Sequence, residues 1–234
     1  MKPLRIIYQF GAEKQAPVSF VVELDPATLA LTLPANSGLP EWTRLAHDIC
    51  PDCPLATTAT SHCPMATALV ELLEFSRQID SFAPLNVAVT TPEREIRTTA
   101  PAQRAIAALM GLLIATCACP DVAWLRPMAR FHLPLASEEE TIYRATSMYL
   151  LAQFFRQKHG ASPDLSLAGL RTRYERLHEI NMAMAARLRQ AIEKDASVNA
   201  VILLDLFAKA MPYSVDESVA ELEYLFSAYL APDR

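Results

Sequence analysis

The chain has 234 residues, 52 % hydrophobic and 20 % charged, and its 21 basic and 26 acidic side chains leave a net charge of −5. That length buries a full core, and that hydrophobic share excludes disorder as the dominant state. The acidic balance, with no basic stripe, excludes a general nucleic-acid binder, whose affinity comes from Lys and Arg neutralising phosphates.

The first forty residues hold three short β-branched or aromatic runs: Arg5 to Phe10, Val18 to Leu24 and Leu29 to Leu33. They read as a β-meander, with Asp25-Pro26 supplying turn chemistry between the second and third. So small a sheet has one apolar face that must pack on the rest of the chain. From Pro40 the pattern is helical, interrupted at Leu85 to Thr90 by an alternation that can extend the sheet. Helices are expected over Glu41 to Ile49, Pro64 to Ser81, Pro101 to Ala115, Pro120 to Met128, Glu138 to His159, Leu167 to Asp195, Ala196 to Lys209 and Val215 to Leu230. Ser137 followed by Glu138, Glu139 and Glu140 is a capping box, the serine at the N-cap and Glu140 at N3. The expected fold is mainly α with a small antiparallel β-sheet: a helical domain over residues 41–234 and a β appendage over residues 1–40. The longest apolar stretch, Ala105 to Cys119, is short of a membrane span and contains Gly111. The opening MKPLRIIYQF lacks an apolar segment followed by a small-residue cleavage site, so the expected location is cytoplasmic.

Chemistry concentrates in the cysteines. All five, Cys50, Cys53, Cys63, Cys117 and Cys119, lie in the first 119 residues, and four of them are followed directly by proline. A Cys-Pro step stiffens the backbone just past the sulfur and removes a competing amide donor. In HCPMATALVELLEF and ACPDVAWLRPM the proline takes the first helical position, which makes Cys63 and Cys119 the N-caps. A thiol there ionises more readily, as a metal ligand must. Cys50, Cys53, Cys63 and Cys119 therefore form a candidate four-thiolate site, for zinc first and an iron–sulfur cluster second. Redox-active or disulfide cysteines, and inert buried thiols, are the other readings, and Cys117 is the odd one out. His62 and His132 are possible substitute ligands.

CPDCPLATTATSHCPMA, with VTTPER, LRPMARFHLP, EEETIYRATSMYLL and NMAMAARLR, resembles a family of uncharacterised bacterial proteins, the likeness running from about Trp42 to Leu204. It implies that Cys50, Cys53, Cys63 and Cys119 are motif cysteines and that Arg126, Pro127, Met128, Arg130, Phe131 and His132 are motif positions. It brings no activity with it.

Arg126, Arg130 and His132 lie close in sequence after the last motif cysteine, in a stretch expected to be largely loop. Two guanidiniums and an imidazole can hold a small anionic ligand; equally, the arginines can form ion pairs with Glu93 or with Glu138 to Glu140. Glu93, Arg94, Glu95 and Arg97 form a second mixed-charge group. A lone Glu175-x-x-His178 lacks the companion motif of a di-iron bundle and reads as a solvated face. No phosphate-binding loop, dinucleotide fingerprint, nucleophile elbow or zinc-protease motif occurs. The function expected is a binding or regulatory module with a structural zinc site and a small anionic ligand or protein partner. The alternative is a metalloenzyme or iron–sulfur redox enzyme with an anion pocket at Arg126, Arg130 and His132.

Overall fold

The computed structural model describes residues 2–11, 16–33, 38–77, 79–191, 199–202 and 219–231. It divides into two compact units, Met1–Leu135 with Glu179–Asp205, and Ala136–His178 with Leu206–Arg234. The fold is α+β, mainly helical with one antiparallel sheet, as the sequence pattern implies.

The sheet belongs to the first unit. Strands β1 (Leu4–Gly11), β2 (Val18–Leu24), β3 (Pro84–Thr90) and β4 (Glu95–Pro101) run antiparallel in the order β2-β1-β3-β4. Leu4, Ile6, Tyr8 and Phe10 alternate inward along β1, matched by Val22 and Leu24 on β2 and by Leu85, Val87 and Val89 on β3. Each such apolar side chain contributes about 1.5–3 kcal/mol on burial. Helix α1 (Pro64–Ser76) seats on the sheet through Phe75, which stacks on Phe10 and meets Phe20 edge-on, both at 5.4 Å. Helix α2 (Ala102–Thr116) buries residues all round its circumference and is the core helix.

Three expectations change here. The run Leu29 to Leu33 is not a strand: the Asp25 carboxylate accepts the amides of Ala27 and Thr28 at 3.0 and 2.7 Å, and Leu29 takes a positive φ of 57° that breaks the pleat. Its Leu31 makes an isolated bridge to Leu24 and donates to the Thr116 carbonyl at the end of α2 (2.8 Å). The helix expected over Glu41 to Ile49 is a 3-10 turn, Glu41–Thr43, followed by irregular backbone. The third change is β4, which was hidden in the mixed-charge segment: an edge strand largely exposed to water carries no apolar alternation, and its Glu95–Arg97 ion pair discourages further pairing. Thus the sheet extends well past residue 40.

Beyond Cys119 the expected helix is a 3-10 segment, Pro120–Leu125, running into the short α3 (Arg126–Arg130), so the presumed loop is helical. In the second unit α4 (Glu138–Lys158) begins on the anticipated capping box, Glu140 N–H donating to Ser137 Oγ at 3.1 Å and Ser137 N–H to Glu140 Oε2 at 2.7 Å. Helix α5 (Ala168–Ala191) starts in the second unit and ends in the first. The helices expected over 196–209 and 215–230 lie largely outside the described residues; within them 199–202 and 219–221 are helical, as are Glu223–Phe226 (3-10) and Ser227–Leu230.

Asp164 organises the turn between α4 and α5. Its carboxylate accepts the Tyr149 hydroxyl at 2.9 Å, the Gly169 amide at 2.8 Å and the Ser166 hydroxyl and amide at 2.6 and 2.9 Å. The Ser166 hydroxyl, then the Gly169 amide and the Tyr149 hydroxyl, hold it well below the ordinary carboxyl range. A folded-state pKa below the unfolded one stabilises the fold above about pH 4 and is lost as pH falls. Asp164→Asn therefore flattens the acid limb of a thermal-stability profile taken between about pH 5 and pH 2. A Cβ on Gly169 would collide with the Tyr149 hydroxyl, so Gly169→Ala costs about 1–3 kcal/mol in urea unfolding.

Candidate metal centre

Three helix ends carry the later sulfurs. Cys63 is the N-cap of α1 and Cys119 that of the Pro120–Leu125 segment, each followed by proline in the first turn, and neither side chain is spent on a capping hydrogen bond. Cys117 is the C-cap of α2, and its thiol donates to the Ile114 carbonyl at 3.1 Å. No disulfide joins any of the five cysteines.

These thiols are near enough to feel one another. Burial, against the pull of the Asp121 amide and with the charges of Cys63, Asp121 and Cys50 adding to it, pushes the Cys119 thiol up to about 12, the reverse of the easier ionisation expected of an N-cap. Cys117 is also pushed up to about 12 by burial; the Cys119 amide and the Arg126 guanidinium oppose the rise, while Cys119 and Cys63 add to it. Both thiols therefore keep their protons at neutral pH. Cys53 lies half-buried three residues beyond Cys50. Among the described residues, no three His, Cys, Asp or Glu side chains already stand together as a metal-ligating group.

A residue that the sequence reading passed over controls the loop bearing Cys50 and Cys53. Arg187, on α5 and only 2 % exposed, donates to the carbonyls of Trp42 (2.8 Å), Arg44 (2.6 Å), Leu45 (3.4 Å) and Asp48 (3.2 Å). The same stretch is zipped to the residues before α1: Cys63 N–H donates to Thr43 O at 2.7 Å, Leu45 N–H to Ser61 O at 2.9 Å, and Arg44 bridges His62. Thr43, fully buried, also pairs its hydroxyl with His62 Nδ1 at 2.7 Å, which engages one ring nitrogen of that substitute ligand. Residues 49–60 thus leave and return through a clamped base. The signal for Arg187 was its place in NMAMAARLR, one turn beyond Met184 and two beyond Ile180 on the inward face of the helix.

The second group of candidates is already engaged by the protein. Arg126 donates to the carbonyls of Thr28 (3.4 Å) and Cys117 (3.3 Å). Arg130 pairs with Glu93 at 2.9 Å, the ion pair that the sequence had offered as one reading, and lies over the exposed Phe131 ring. His132 Nε2 is hydrogen-bonded to Tyr8, whose phenol is raised by burial and keeps its proton. The LRPMARFHLP segment is therefore latched to the sheet and to the end of α2. No single helix among the described residues is long and apolar enough to cross a membrane; Ala102–Thr116 and Pro120–Arg130 reach that length only together, across a 111° bend.

Residues 6–227 match the family described as a domain of unknown function, DUF6901. No curated protein and no solved structure matches the chain.

Arg187→Met takes a donor from four carbonyls, of which Arg44 keeps the His47 amide, and destabilises the protein by about 3 kcal/mol in denaturant unfolding, far more than loss of an exposed arginine.

Proposed function

We propose, for a chain that belongs to the DUF6901 family, that Cys50, Cys53, Cys63 and Cys119 bind one zinc ion in a closed structural site. The domain so held acts as a binding or regulatory module in the cytoplasm, with a small anionic ligand or a protein as its partner. The observation carrying this reading is that Cys119 lies within electrostatic range of both Cys63 and Cys50, which lie 56 and 69 positions earlier in the chain. The donor set suits the ion: four thiolates are a frequent closed zinc shell, and a reducing compartment keeps them as thiols until the metal binds. Cys63 stands at the N-cap of α1, a thirteen-residue helix, and its sulfur is not spent on a capping hydrogen bond. The ion would tie the clamped 49–60 loop to the segment after α2, and its binding energy would be folding energy.

A second reading is a metalloenzyme or iron–sulfur enzyme that holds an anion on Arg126, Arg130 and His132. It draws on one observation, the Arg126 guanidinium beside Cys117. Arg130 and His132 would first have to leave Glu93 and Tyr8.

Metal analysis of the purified protein is expected to give about one zinc per chain and no visible absorption, whereas brown protein would favour the cluster. Cys53→Ser or Cys119→Ser should release the ion and lower the melting temperature by about 10 °C or more, while Cys117→Ser keeps it. Protein that holds no metal and is equally stable in all three variants overturns both readings.

A further inference from the structure

The sheet of the first unit ends differently on its two sides. At the margin formed by β4 the Glu95–Arg97 ion pair keeps other strands away, whereas β2, the opposite margin, opens with the uncharged run Val18-Ser19-Phe20-Val21-Val22. Only the far end of β2 is covered. The Asp25 amide donates to the Ala30 carbonyl and the Thr32 amide to the Glu23 carbonyl, both at 2.9 Å, so the main-chain groups of Glu23 and Asp25 point away from β1. By the alternation of an antiparallel strand, those of Ser19 and Val21 point the same way. Among the described residues, no main-chain group pairs with them. An apolar cavity of about 90 Å³ lies beside this margin, lined by Phe20, Leu31, Leu33, Ala68, Leu109 and Leu113, with Glu71 of α1 also in its wall. Glu71 is exposed and, among the described residues, has no ion-pair partner; its neighbour Glu74 is the one that takes Arg77.

We propose that the β2 margin docks an extended segment of a partner protein, which adds a strand beside Ser19 and Val21, places an aliphatic side chain in the cavity and sets a basic one against Glu71. Three features name that occupant. The outward N–H and C=O groups of Ser19 and Val21 call for polypeptide in extended form, and bonds to them supply affinity whatever the partner's side chains. Alternate residues of such a strand point toward α1, where a cavity of this size admits one aliphatic side chain. The unpaired carboxylate then selects a cation next to it. A second copy of β2 answers less well, because its one charged residue is Glu23, which would bring a carboxylate and no cation. The site lies wholly within the first unit. It rests on the binding-module part of the reading above, giving its protein partner a place, and does not require the ion.

Fluorescence anisotropy of the labelled heptapeptide TKTLTKT, titrated with the full chain, should give a Kd of about 10–500 µM. Replacing its leucine by aspartate, or both lysines by glutamate, should weaken binding at least about tenfold. Val21→Pro removes an outward N–H that β1 does not use, and should weaken binding likewise with the circular dichroism spectrum unchanged. Glu71→Lys, a change at an exposed position, should lose TKTLTKT and gain TETLTET. No binding at about 1 mM chain, equal affinity for the two peptides, or a Glu71→Lys protein that keeps the parent's preference overturns the proposal. So does sedimentation that shows dimers of the parent chain which Val21→Pro dissolves, a result that assigns the margin to a second copy. Zinc content is measured on the same samples, so that a zinc-loaded chain which ignores the peptide counts against the β2 margin and leaves the metal reading standing.

Discussion

One buried cation organises the first unit. The Arg187 guanidinium spends its donors on the carbonyls of Trp42, Arg44, Leu45 and Asp48, an irregular stretch in which the Arg44 carbonyl also accepts the His47 amide at 3.1 Å. A backbone acceptor shut away from water without a donor costs about 1–3 kcal/mol, so the irregular turn depends on this side chain. From that turn follow the bridge to His62, the seating of Thr43 and the clamped base of the cysteine-bearing loop. Lysine would not substitute, since a single ammonium cannot fork across so many acceptors.

What the sequence showed and what it hid divide along physical lines. Local signals held: Pro64 placed Cys63 at the N-cap, the Ser137 capping box started α4, and the alternation of Leu85 to Thr90 joined the sheet as β3. These depend on a few adjacent residues. The misses depended on distant ones. Leu29 to Leu33 reads as a strand until the Thr116 carbonyl claims the Leu31 amide, and Glu41 to Ile49 reads as a helix until Arg187 claims its carbonyls. Strand β4 was concealed because an edge exposed to water needs charge rather than alternation. For the candidate site, the cysteine-proline rhythm identified the sulfurs, but nothing in it indicated that Cys117 would stand electrostatically beside Cys119 and Cys63.

The LRPMARFHLP segment shows how a motif rich in reactive residue types can serve as architecture. Arg126 caps carbonyls at Thr28 and Cys117, Arg130 meets Glu93 at the turn between β3 and β4, and His132 shares a hydrogen bond with the Tyr8 hydroxyl in the middle of the sheet. Each bond reaches a different part of the first unit. Together they fix the direction in which the chain leaves Cys119, so the last motif cysteine is held from both sides.

The order of the strands has a consequence for biogenesis. β1 is flanked by β2 on one side and β3 on the other, yet some sixty residues separate β2 from β3 along the chain. On the ribosome the first hairpin must wait, one flank of its backbone unpaired, until β3 emerges, a delay that invites chaperone contact or mispairing. Arg187 emerges later still, so the first unit cannot be locked until α5 has been made.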